Sequence, residues 1–254
     1  MEQFVAWKAM MAANEPTTLW QQFYVLFYQA FIENNRWQQY LNGVVTTLYV
    51  TVLALALGVV LGIIVAVIRT AHDQQRPGHR NPVLGLINGL LKIYVTVIRG
   101  TPMMVQLMIM GLVIFASSRD FVMVGALTLG INSGAYTSEI IRGGLMSVDQ
   151  GQMEAGRSLG MNYMDTMRFV VVPQAIKAIL PALGNEFIVL LKDTSLISVI
   201  GGMELLFAAR RVVSVTLEAM FPFLGAAAIY LALVMIFTWL QGKLERRMRQ
   251  SDRR

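Results

Sequence analysis

Charged side chains are absent from residues 38–68, a run of 31 positions. About 20 residues of helix suffice to cross the hydrocarbon core of a bilayer, so this run predicts a membrane-spanning helix. Three further uncharged runs cover residues 101–118, 121–138 and 219–242, each long enough to cross with some tilt. Residues 183–207 are apolar in bulk but carry Glu186, Lys192, Asp193 and Glu204; they read as a polar-faced fourth span. Residues 81–99 are apolar too, divided by Lys92 and Arg99, and read as the lower part of the second span or a helix at the interface. The pattern predicts an all-α membrane protein with five transmembrane helices, at about 41–68, 93–118, 121–141, 183–207 and 219–242.

The cations orient these spans, because positively charged loops stay in the cytoplasm. Five spans put thirteen Lys and Arg on one side: three between Arg69 and Arg80, four between Arg142 and Lys177, and six from Lys243 to Arg254. The other side holds five: Lys8, Arg36, Arg119, Arg210 and Arg211. The N-terminus is therefore expected outside and the C-terminus in the cytoplasm. The net charge of +6 becomes a topology signal, and nucleic acid is not an expected partner.

Only 14 % of the 254 residues are charged and 56 % are hydrophobic, against roughly 25 % charged in a soluble domain. The lack of cysteine excludes disulfides, zinc-thiolate sites and a thiol nucleophile. His72 and His79 are the two histidines, read as solvated loop residues, so no metal site is expected. The 17 methionines read as packing. Residues 1–37 have no basic n-region leading into an apolar core, which argues against a cleaved signal peptide. Their Trp7, Trp20, Phe23, Tyr24, Phe27, Tyr28 and Trp37 suggest an aromatic amphipathic segment at the outer interface. No inverted repeat of the secondary-transporter kind is apparent.

Between the third and fourth spans, residues 142–181 form a polar loop too long for a simple connection. Residues 152–159 read as a short helix ended by Gly160; a second amphipathic stretch, 164–172, is expected to stop at Pro173. Such a helix-turn-helix on the cytoplasmic face is either a connector folded on the bilayer or a docking element for a soluble partner. Spacing alone leaves both open.

Within this loop, Glu154-Ala155-Gly156, three residues, Gly160, nine residues, and Val170-x-Val172-Pro173 resemble the cytoplasmic EAA loop of binding-protein-dependent ABC importer permeases. The departures are Gly156 for Ala, Val170 for Ile and Val172 for Leu. Further stretches resemble the polar amino acid permeases: residues 98–102 through Gln106, 133–140, 185–187 and 191–196. The resemblance runs from about residue 42 to the C-terminus. It implies a type I ABC importer permease fold in a bacterial inner membrane, with a second permease subunit, like or unlike, facing this one. It also implies two ATPase subunits below, a periplasmic or extracellular substrate-binding protein, and a polar amino acid as substrate. Glu154, Ala155, Gly156, Gly160 and Pro173 would then couple to the ATPase. The chain has no Gly-x-x-x-x-Gly-Lys-Ser/Thr loop, so it is expected to bind no cofactor and to be no enzyme, ATP and Mg belonging to the partner.

Ionisable groups inside a span are costly and mark functional candidates. Asn132, Tyr136 and Glu139 fall on one helical face, with Ser133 adjacent; Glu186 and Asp193 share another, followed by Thr194 and Ser195. Two carboxylates near mid-membrane suit an ammonium or guanidinium group. The α-carboxylate of an amino acid would need Arg99 or the backbone at the 100–102 break. Against these stand plainer readings. Glu139 can pair with Arg142 three residues on, Lys192 can neutralise Asp193 or Glu186, and residues 132–134 can be a small-residue helix contact. The basic tail, 246–254, reads as an anchor to anionic membrane lipid. The competing function is an ion-gradient-driven secondary transporter or channel. An intramembrane enzyme would need a Ser-His pair, a carboxylate pair or a metal within the spans, and both histidines sit in a loop.

Overall fold

Small residues recur at four-residue intervals on two helices, and this spacing sets how closely their backbones approach. In the computed structural model, which describes residues 2–75 and 81–251, these helices are α3 (Trp37–Asp73) and α6 (Phe121–Met146). A Cβ at Gly58 would lie 2.7 Å from Ser133 Oγ, and one at Gly62 would lie 2.5 Å from Thr137 Cγ2. Reciprocally, Gly130 and Gly134 receive Leu57 and Leu61. Residue numbers rise together along the seam, so α3 and α6 run parallel. Membrane helices favour such small-residue contacts because lipid supplies no hydrophobic drive for association.

A parallel pair needs a return segment between its members. It is made by α4 (Pro82–Gly100), a break at Thr101-Pro102, and α5 (Met103–Ile109), continued by a wide turn over Met110–Ile114. The expected second span at 93–118 thus falls across the end of α4, the break and α5. Residues 82–100 form a helix of their own, and Pro102, which cannot donate a helical hydrogen bond, restarts the chain as a short one.

After α6 come α7 (Gln150–Ser158), α8 (Tyr163–Thr166) and α9 (Val172–Asp193). The expected stop at Pro173 is not observed. A wide turn over Met167–Val171 leads from α8 straight into α9 and places Pro173 in the first turn of the resumed helix, where its missing N–H costs nothing. The polar loop therefore includes the start of the next crossing. That crossing ends in a tight helix over Thr194–Ile200 and a left-handed turn at Gly201 (φ 93°), short of the expected 207. Glu204 instead begins α10 (Leu205–Thr216), accepting from the Leu206 and Phe207 amides at 2.7 and 2.8 Å. The final helix, α11 (Met220–Ser251), runs antiparallel to α9, with Gln241 donating to the Pro181 carbonyl at 3.1 Å and Phe187 against Phe237.

Among the described residues, four helical stretches are long and apolar enough to cross a membrane: Trp37–Asp73, Pro82–Gly100, Tyr163–Ile200 and Met220–Met248. α6 adds a 26-residue helix, long enough at about 39 Å, rich in small polar residues and enclosed by α3, α4, α5 and α9. The core gathers Val50 and Ala54 of α3, Leu107 of α5, Leu129 of α6, and Leu190, Ile197 and Ile200. The N-terminal residues form a hairpin of α1 (Glu2–Ala12) and α2 (Leu19–Phe31) beside α11. His79, Arg76, Arg80, Arg253 and Arg254 lie outside the described residues.

Overpacking a tight contact costs about 1–3 kcal/mol, so Gly62→Leu is expected to lower the thermal unfolding midpoint in detergent by several degrees. Gly89→Ala, where a Cβ meets nothing within 4 Å, is expected to leave it unchanged or slightly raised. Equal midpoints for Gly62→Leu and the parent chain would remove the seam's structural role.

Candidate functional site

Because α6 is enclosed, its polar side chains meet other helices, and the candidates on its expected single face separate. Asn132 Nδ2 donates to Gln106 Oε1 of α5 at 2.9 Å. The Arg99 guanidinium of α4 lies 5.1 Å over the Tyr136 ring. Glu139 pairs with Arg69 of α3 and stands at 4.0 Å from Arg142 Nε. The i,i+3 pairing is thus present but secondary to an interhelical one. On the neighbouring position, buried Ser133 donates to Glu186 Oε1 of α9 at 2.8 Å.

Gln106, which no charge pattern singles out, is central to the helix break. Its Nε2 donates to the Ile98 carbonyl at 2.7 Å and to Thr101 O and Oγ1 at 3.1 and 2.8 Å. These are the carbonyls that the 100–102 interruption frees, so the break is capped from within. Tyr94 ties α4 to α6, donating to the Ile131 carbonyl at 2.6 Å.

Glu186 is buried, two helical turns before Asp193, which is half-buried at the end of α9. Lys192, next to Asp193 in the last turn of α9, is exposed. Thr194 is buried and donates to the Leu191 carbonyl at 2.8 Å, while the Ser195 carbonyl accepts from Ser198 at 2.8 Å. The site residues thus fall into two groups on either side of α6: Arg99, Tyr136, Asn132 and Gln106 on one, Ser133, Glu186 and Asp193 on the other. Sequence pattern missed a further buried carboxylate group. Glu204 accepts from Tyr230 Oη at 2.6 Å, and Thr47 Oγ1 accepts from the Leu205 amide at 3.4 Å. An acidic residue at an uncharged helix N-terminus is the signal that finds it.

The loop has an inner and an outer side. Gly156 packs on Thr166, where a Cβ would lie 2.5 Å from Cγ2, which explains why glycine replaces the second alanine. Tyr163 donates to Gln74 at the end of α3. Gly160 takes φ 83° and ends α7, with the Met161 amide reaching back to the Gly156 carbonyl at 3.0 Å. Glu154 and Ala155 are exposed on the other side, as are Leu159, Met164 and Phe169. Between loop and body lies an open cavity of about 520 Å³, bordered by Asp73, Arg142, Met146, Met153 and Arg157. Arg142 closes one wall by donating to Asp73 at 2.7 Å. His72 is held at 3.1 Å from Asn88 of α4 and is more engaged than a free loop residue. No cluster of metal-ligating side chains occurs among the described residues.

Residues 82–250 match the family described as binding-protein-dependent transport system inner membrane component. The glutamine transport system permease protein GlnP of Escherichia coli K12 is 33 % identical over 213 residues, covering 82 % of this chain and 92 % of the relative. A putative GlnP of Rickettsia typhi is 35 % identical over 211 residues, with the same coverage. Among solved structures, an amino acid ABC transporter crystallised with histidines superposes with a TM-score of 0.74 at 41 % identity, covering 83 % of this chain and 94 % of that one. The MetNI methionine ABC transporter shares the fold, with a TM-score of 0.71 at 18 % identity. The chain therefore belongs to the binding-protein-dependent transport system inner membrane components, as an amino acid ABC transporter permease of the multi-pass membrane type.

Proposed function

We propose that this chain forms the translocation path of an ATP-driven importer for a polar amino acid, handed over by an extracytoplasmic binding protein in a bacterial inner membrane. It crosses five times, α4 and α5 together making the second crossing and α6 the third. The alternating directions of α3, α4, α6, α9 and α11 support this count, and the cation distribution supports an outer N-terminus and a cytoplasmic C-terminus. A second permease, a copy or a relative, faces it, and an ATPase carrying ATP and Mg docks on the loop.

The observation that carries this reading is the loop's two-sidedness. Its inner side is bound to α3 and α8, while Glu154, Ala155, Leu159, Met164 and Phe169 stand exposed around the Gly160 corner. Exposed apolar side chains rimmed by charge suit a protein interface. Because α8 continues into α9, displacement of the loop moves the helix that carries Glu186 and Asp193.

Those two carboxylates favour a cationic group on the substrate. Ser133 holds Glu186 in place, and Lys192 lies where it can release Asp193. On the opposite side of α6, Arg99 is the charge available to an α-carboxylate. Gly156, Gly160 and Pro173 shape the coupling surface; Thr194 and Ser195 line the end of the path beyond Asp193.

Valine strains a left-handed position by about 1–2 kcal/mol. Gly160→Val is therefore expected to insert normally yet retain roughly tenfold less ATPase on co-purification; ATPase recovered at the parent yield would contradict the docking role. Glu186→Gln and Asp193→Asn are each expected to reduce lysine or arginine uptake about tenfold more than glutamine uptake, the loss of about 1.4 kcal/mol of charge recognition. Equal losses for both classes would sink the charge-recognition proposal.

A further inference from the structure

The N-terminal hairpin precedes the family match, which begins at residue 82, and transport as proposed makes no use of it. It is nevertheless firmly built. Thr18 and Gln21 cap α2 reciprocally. α1 lies against it through Phe4 on Tyr28, 4.3 Å between ring centroids, and Trp7 on Tyr24, at 5.5 Å. At its base Glu33 receives Lys8 at 2.6 Å and Arg36 at 3.2 Å, while the nearly buried Arg36 also donates to the Gln29 carbonyl.

One face of α2 is seated on the last crossing. Phe31 occupies a notch at Gly225 of α11, where a Cβ would lie 2.5 Å from the ring, and continues onto Tyr40 of α3. Phe23 and Phe27 meet Phe221 edge-on at 5.1 and 6.4 Å. The same stripe of α2 leaves an uncovered apolar edge beside this seat. Leu19 is 85 % exposed and Trp20 67 %, and Trp20, Phe23 and Phe27 stack in one row at 5.9 and 6.3 Å. No charged side chain occurs from residue 16 to residue 32. Through Phe221 the row joins the first turn of α11, where Met220, Phe223 and Leu224 are exposed, and α11 is a helix whose length and composition suit a membrane. That continuity decides the occupant. A surface adjoining lipid-facing side chains, uncharged and rich in tryptophan and phenylalanine, matches the interfacial belt of a bilayer.

We infer that the α1–α2 hairpin is a bilayer strap: the Leu19, Trp20, Phe23 and Phe27 row lies in the phospholipid interface and holds the start of α11 against α3 through Phe31 and Phe221. The strap acts on the end of the bundle opposite the loop, so its lipid contact bears on the tilt of α11 there. It goes beyond the transport reading and does not depend on which substrate or energy source the protein uses.

The cysteine-free sequence permits unique labelling. A nitroxide is placed by Trp20→Cys, and separately by Leu19→Cys in case loss of the indole perturbs folding, in the full chain reconstituted into phosphatidylcholine vesicles. Leu231→Cys on α11 and Leu159→Cys on the loop serve as references. Collisions with oxygen are expected to exceed those with a water-soluble nickel chelate at positions 19, 20 and 231, and the reverse at 159. Nickel dominance at 19 and 20 would show a water-facing surface, and exclusion of both reagents would show a protein-covered one; either overturns the strap. Adding Gly225→Leu, which displaces Phe31, is expected to narrow the spectrum of the label at 19. An unchanged line shape would contradict the seating on α11.

Discussion

The parallel contact between α3 and α6 constrains everything else in the molecule. Gly58 and Gly62 on one helix and Gly130 and Gly134 on the other bring the backbones together so closely that no larger side chain fits without displacement. Two consequences follow. α6 becomes an interior helix, and its Ser133, Asn132 and Glu139 side chains find partners on α9, α5 and α3. The chain must also travel back between two parallel helices, which it does through the broken α4–α5 segment.

The polar groups of α6 then tie the surrounding helices to one axis. Ser133 reaches α9, Asn132 reaches α5, Glu139 reaches α3, and the Ile131 carbonyl reaches Tyr94 of α4. The side chains nearest the proposed path are therefore also interhelical fasteners. The Ser133 hydroxyl bound to Glu186 is one link of the α6–α9 contact. At the other end the α8–α9 continuity joins the same contact to the loop. Loop and carboxylates lie on one helical rod, and the seam beside it is stiff.

Much of this was readable in the sequence. Uncharged runs located the helices at 37–73 and 220–248 within a few residues, and Gly160 ended its helix as its type suggests. Proline was the weak point. Pro173 looked like a stop because a regular helix cannot accommodate it there, but one wide turn upstream shifted it to a permitted position. Conversely, Pro102 divides a run that hydropathy alone reads as continuous. Helical periodicity correctly put Asn132, Tyr136 and Glu139 near one another, yet it could not reveal that three different helices claim them. Partner choice depends on the α3–α6 register, which two sets of glycines specify only once the helices are known to meet. The aromatic richness of the N-terminus is plain in its composition, whereas its seating on Gly225 required the fold.

ATP-driven import is tested most directly by transport in a defined system. The permease is reconstituted with its ATPase, radiolabelled polar amino acids are supplied on the outside with the binding protein, and ATP is enclosed. Accumulation is predicted only when ATP, ATPase and binding protein are all present, and only for a subset of amino acids. Accumulation by the permease alone, driven by an ion gradient and indifferent to ATP, would contradict it.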